Sequence, residues 1–139
     1  VRRASGLTLL ARIQYALNDQ SGSKQNWDLA QGIPSAMDYV RAEKLLHYAK
    51  TGQAYEPGEL EDLKKSSLPV YHSRRILAEV LMMRGKYEEA AKNIAECLSH
   101  PLGKSTNGYL LALIIYHKLG HGVSDLQDQA GWRMAGPAV

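Results

Sequence analysis

Residues 74–101 read RRILAEVLMMRGKYEEAAKNIAECLSHP, and the fold turns on them. Apolar residues recur here at intervals of three and four, through Leu77, Val80 and Leu81 before Gly85 and through Tyr87, Ala90, Ala91, Ile94 and Leu98 after it. That spacing is the period of an α-helix, not of a strand. Pro69 opens the first helix, with Val70 also expected to face inward, and Gly85 closes it. The second helix follows after a turn of a residue or two. It carries Glu88 and Glu89 in its first turn, where the helix dipole favours anions, and ends at Pro101 and Gly103. Ala78 and Ala90 are expected to face each other where the two helices cross, because only small side chains let the axes come close, and Tyr87 and Ile94 fill the space beside them.

Downstream, the stretch from Thr106 to Leu119 is apolar almost all round from Tyr109 to Tyr116, so this helix is expected to lie between neighbours rather than on a rim. Residues 131–139 read as a loose tail. Upstream, Leu7 to Asn18 places Leu9, Leu10, Ile13 and Leu17 on one stripe of an amphipathic helix. Gln20-Ser-Gly-Ser-Lys24 reads as the loop that ends it, with a short apolar turn around Trp27, Leu29 and Ala30. Gly32-Ile33-Pro34-Ser35 resets the chain, and Ser35 with Asp38 has the spacing of a helix-capping box. The helix expected there carries Ala42, Leu45, Leu46 and Ala49 on one face and stops at Gly52. A short helix with Leu60 and Leu63 opens around Pro57, where a missing N–H costs little. No segment alternates at period two for long. The expected fold class is therefore all-α, with antiparallel helix pairs stacked in one domain over residues 1–130.

The helices also repeat. Leu77-Ala78 with Leu81 recurs 34 residues on as Leu111-Ala112 with Ile115, and Gly52, Gly85 and Gly120 lie 33 and 35 residues apart. A period near 34 is the mark of stacked helix pairs. The set Arg74, Leu77-Ala78, Leu81, Gly85-Lys86-Tyr87, Ala90, Ile94, Cys97 and Pro101 resembles a tetratricopeptide repeat. It departs from that pattern at Arg74, where Trp is usual, and at Pro101, which arrives one residue early. The best repeat covers 70–101 and its neighbours are degenerate: Lys44 falls where an apolar residue is wanted if Gly52 is aligned with Gly85. The resemblance implies a short right-handed superhelix. Residues 81–122, through Leu81-Met-Met-Arg-Gly-Lys-Tyr87, Ala90, Pro101 and Leu119-Gly-His-Gly122, are also similar to the tetratricopeptide-type chaperones that guard needle subunits of bacterial type III secretion. That similarity implies a chaperone role.

Composition narrows the function classes. The 139 residues are 45% apolar and 22% charged, as in a globular domain, and a chain of this length can bury a core without staples. The single Cys97 excludes an intrachain disulfide and any multi-cysteine metal site, which favours a reducing compartment, with the cytoplasm expected. Because the chain begins at Val1, its N-terminus carries no information on targeting. The longest apolar run, Tyr109 to Tyr116, is far shorter than the roughly 20 residues that cross a bilayer, so no membrane association is expected. A net charge of +3, with Arg2, Arg3, Arg12, Arg41, Lys64, Lys65, Arg74, Arg75 and Lys92 scattered among acids, is no nucleic-acid footprint.

No catalytic set emerges, and neither a metal nor a cofactor is expected. Gly103-Lys104-Ser105-Thr106 has the ending of a phosphate loop, but Leu98 stands where the first glycine is required and a helix precedes it. His117 and His121 have the i, i+4 spacing of metal ligands, yet Gly120 ends the helix between them, and a site needs three or more ligands. Cys97 reads as a buried spacer without cations to activate it. Glu61-Asp62 and Glu88-Glu89 are explained by charge–dipole stabilisation early in helices.

The helix surfaces are more informative. In stacked pairs the first helix of each unit lines a concave groove, whose outward positions here are His72, Arg75, Glu79 and Met82, then Thr106, Tyr109, Leu113 and Tyr116. Met82, Leu113 and two tyrosines suit an amphipathic helix or extended peptide better than bare solvent. The expected function is thus non-enzymatic: a protein-binding module that holds its partner through Arg75, Glu79, Met82, Tyr109, Leu113 and Tyr116. The competing readings are that the chain's own N-terminal helix fills the groove, or that the chain is a structural segment of a larger helical-repeat scaffold.

Overall fold

The computed structural model describes residues 2–120. The chain divides into two compact units between Leu68 and Pro69. The first unit holds helices α1 (Arg2–Ala16), α2 (Gln20–Gln31), α3 (Met37–Thr51) and α4 (Gly58–Lys64), with a 3-10 turn at Pro34–Ala36 ahead of α3. The second holds α5 (Val70–Met83), α6 (Tyr87–Leu98) and α7 (Thr106–Lys118), with a 3-10 turn at Pro101–Gly103 ahead of α7. The described residues contain no strand and are all-helical, with helices packed on one another within each unit.

In the second unit α5 and α6 form the helix pair expected from residues 74–101. Gly85 takes a left-handed φ of 78° in the three-residue turn between them. Ile76, Leu77, Ala78, Val80 and Leu81 of α5 are buried, as are Ala90, Ala91, Ile94, Cys97 and Leu98 of α6. Arg74 Nε donates to Glu96 Oε2 at 2.9 Å and ties the two helices outside that core. Gly103 approaches the end of α6 so closely that a Cβ there would collide with the Cys97 carbonyl oxygen, which requires glycine. Ser105 caps α7 by accepting from Gly108 N at 3.1 Å. Two expectations fail here. Val70 is exposed rather than inward-facing, because it stands at the first position of α5, and α7 is not covered all round, since Leu110 and Ile114 remain exposed.

The first unit corrects more. Gln20-Ser-Gly-Ser-Lys24 is not a loop: it is the first turn and a half of α2, started by Asp19, whose side chain accepts from Gly22 N at 2.9 Å. An N-cap outweighs the low helix propensity of Ser and Gly. Trp27, central in α2, is buried in a cluster with Ala4, Ala11, Ala30, Ala36 and Val40. Its indole takes the space that larger partners would need, so α1 packs inward through small residues, and the expected stripe of Leu9, Leu10, Ile13 and Leu17 stands exposed on the other side. Asn26 Nδ2 donates to Gln14 Oε1 at 2.6 Å between α1 and α2, and Lys44 Nζ donates to Gln31 Oε1 at 3.1 Å between α2 and α3. The Ser35 cap does not form. Asp38 instead accepts from the backbone N–H and the hydroxyl of Ser67, at 2.9 and 2.6 Å, which holds its carboxyl below the ordinary value. Ala42, Leu45, Leu46 and Ala49 of α3 are buried as expected, and Gly52 ends that helix in a left-handed conformation.

One regularity joins these local facts. The residues with left-handed φ, Asn18, Gly52, Gly85 and Gly120, are spaced 34, 33 and 35 residues apart, and each lies within two residues of the end of an odd-numbered helix. The even-numbered helices end without such a residue and lead instead to Pro34, Pro69 and Pro101.

Candidate partner-binding site

The six residues expected to meet a partner lie in the second unit, on α5 and α7, which touch each other. Arg75, Glu79 and Met82 follow one another at four and three along α5, and Tyr109, Leu113 and Tyr116 do the same along α7, so each trio shares a helix face. Arg75, Glu79, Met82, Tyr109 and Leu113 are half-buried. Tyr116 is not outward: at 5% exposure it is buried, and that burial raises the pKa of its phenol. Of the two outlying positions, His72 is half-buried and Thr106 exposed. The surface thus combines a cation, a carboxylate, a thioether, a leucine and a phenol.

Gly103-Lys104-Ser105-Thr106 follows α6 rather than a strand, and the Ser105 oxygen is occupied as a helix cap. His117 is exposed in the last turn of α7, while His121 lies outside the described residues, as do residues 131–139. Cys97 is buried, and burial pushes its thiol pKa up against a smaller lowering from Arg75. Glu61, Asp62, Glu88 and Glu89 are exposed, and Glu61 meets Lys64 at 3.4 Å. Among the described residues no group of three or more His, Cys, Asp or Glu could hold a metal ion. No helix there is long and apolar enough to cross a membrane.

The first unit carries surfaces that the sequence reading missed. A cleft of about 140 Å³ beside α3 and α4 is lined by Asp38, Arg41, Leu45, Glu59, Asp62 and Ser66. Below the surface, His47 stands edge-on to Tyr15 at 5.2 Å and lies tilted against Trp27 at 5.6 Å and Tyr48 at 6.2 Å. Lys44 Nζ sits 5.4 Å from the centroid of the Tyr48 ring. Among the described residues His47 Nε2 and Trp27 Nε1 are buried without a hydrogen-bond partner. The other surface is the open apolar face of α1. Its signal was present in the sequence as a helix with two apolar faces, small Ala4, Thr8 and Ala11 on one and large Leu9, Leu10, Ile13 and Leu17 on the other.

Comparison with known proteins finds no match among family models, curated proteins or solved structures.

Proposed function

We propose that this chain is a non-enzymatic protein-binding module of the tetratricopeptide type. It holds a partner's amphipathic helix or extended peptide in a groove lined by Arg75, Glu79, Met82, Tyr109 and Leu113, in the manner of a secretion chaperone. The observation that carries this reading is the phasing of the turns, with left-handed residues near every 34th position closing only the odd-numbered helices. A tetratricopeptide unit is a helix, a tight turn, a second helix and a proline-marked reset of that length. In such an array the odd helices line the concave side. The half-burial of the five groove residues suits this role, because each retains surface that a ligand can cover. Tyr116, being buried, acts as support beneath them rather than as a contact. A reducing, cytoplasmic setting suits the single buried cysteine.

The open face of α1 favours a second reading, a segment of a larger helical scaffold, since the ends of helical arrays ordinarily carry polar outer faces. Affinity purification from the native source, followed by size exclusion and mass spectrometry, separates the two. A small stoichiometric partner lost on Met82→Glu supports the module. A chain recovered only within a much longer parent polypeptide, or alone, contradicts it.

A further inference from the structure

Leu9, Leu10 and Ile13 of α1 and Leu17 directly after it are 52%, 44%, 46% and 74% exposed, and they form a stripe roughly 100° wide along about 12 Å. The opposite face of α1 is already buried through Ala4, Thr8 and Ala11. A helix apolar on two sides is built to lie between neighbours, and among the described residues this one is covered on one side. The repeat phasing sharpens the point. With Asn18 set on Gly85, Leu9, Leu10 and Ile13 fall on Ile76, Leu77 and Val80 of α5, all three of them fully buried. Three positions that α5 buries are thus exposed on α1, while Ala11, which falls on Ala78, is buried like it.

Charge decides the occupant. Residues 1–18 contain Arg2, Arg3 and Arg12 and no acid, and Asp19, the first one, is engaged as the cap of α2. At 100° per residue Arg3 falls just past one edge of the stripe and Arg12 beyond the other, with Arg12 Nε donating to the Thr8 carbonyl at 3.3 Å. An antiparallel two-fold pair of α1 helices would bring both Arg12 guanidinium groups to the same rim near mid-stripe, where like charges repel. The stripe seats one helix, not a second copy of the chain.

We infer that the outer face of α1 is a docking site for an amphipathic helix of another protein, whose apolar seam covers Leu9, Leu10, Ile13 and Leu17 and whose acidic flanks meet Arg3 and Arg12. Binding there does not depend on the groove proposed for α5 and α7.

The test uses the whole chain and two synthetic, conformationally stapled helices of about 15 residues, long enough to run the length of the stripe. Both carry the same leucine seam, one with glutamates on its rims and one with lysines. Fluorescence anisotropy is expected to show the acidic helix binding at least about tenfold more tightly than the basic one, with the difference shrinking as salt rises. Ile13→Gln is expected to abolish binding with the melting temperature unchanged, and Arg12→Glu to reduce or reverse the preference. Met82→Glu is expected to leave this binding intact, so failure of the groove is read separately. Equal binding of the two helices, binding of neither, or a fall in melting temperature of the free Ile13→Gln protein would each overturn the inference, the last because it would mean the stripe is already covered within the molecule.

Discussion

Asn18 and Gly85 stand 67 residues apart, and both adopt the left-handed conformation, with φ of 66° and 78°, at the turn that folds one helix back on the next. Pro34 and Pro101 repeat the same separation, each opening a 3-10 turn after the second helix of its pair. Two helix pairs with little sequence in common are therefore built on the same backbone punctuation. Only the left-handed residue lets so short a turn reverse the chain, and glycine or asparagine adopts it at least cost.

That punctuation can be tested without disturbing side-chain packing. No heavy atom lies within 4 Å of where a Cβ on Gly85 would sit, so Gly85→Ala adds strain and no clash. Chemical denaturation is expected to show a loss of about 1–2 kcal/mol. Asn18→Gly is expected to be neutral or stabilising by under about 1 kcal/mol. A neutral Gly85→Ala would show that the turn tolerates another conformation.

Ala78 and Ala90, on α5 and α6, are both fully buried. Ala78→Leu is expected to overpack the pair and cost about 1–3 kcal/mol in denaturant unfolding. A neutral result would mean that these helices do not cross at Ala78.

How far the sequence could be read depended on what kind of signal each element used. The α5–α6 pair was legible because its core is made of residues at helical spacing that are large and apolar, and because Gly85 and Pro101 mark its turn and end. The second helix was not, since Gln20-Ser-Gly-Ser-Lys24 has the composition of a loop and folds as helix only through the Asp19 cap and the burial of Trp27. The orientation of α1 was hidden for a related reason. Hydrophobic ranking turns four large residues inward, whereas the indole of Trp27 selects the small face. Among the groove residues, the shared faces of α5 and α7 were legible from spacing alone, but the burial of Tyr116 depends on packing that periodicity does not encode.

The buried imidazole of His47, 8% exposed, is expected to make the first unit acid-sensitive. Arg12 and Tyr15 face it from α1, Trp27 from α2, and Tyr48 and Lys50 from α3, so the charged groups near it are cations. Burial lowers its pKa, and Arg12 and Lys50 lower it further, below the ordinary 6.5 of an unfolded chain. The unfolded state therefore takes up the proton first. Stability is complete above pH 6.5 and is lost as pH falls from there through the folded value. The denaturation midpoint is expected to decline as pH falls below about 6.5, and His47→Phe to flatten that decline while staying within about 1 kcal/mol of the parent at pH 7, because a buried atom without a partner is removed. Asp38 acts lower on the scale: its pKa is held below 3.8 by Ser67, so its contribution is lost only as pH drops through that lower value. An unchanged slope in His47→Phe would assign the acid sensitivity elsewhere.

The groove proposed for α5 and α7 is tested most directly by the melting temperature of Met82→Glu with no ligand present, read beside recovery of the partner from the native source. Met82 is half-buried on the face it shares with Arg75 and Glu79. In an open groove the new carboxylate is solvated, so the melting temperature is expected to stay within about 3 °C of the parent, while a partner's apolar face is lost because burying an unpaired carboxylate against it costs several kcal/mol. A fall of about 10 °C or more in the free protein, corresponding to a few kcal/mol, would show that the chain already fills this face, and would contradict an open partner-binding groove.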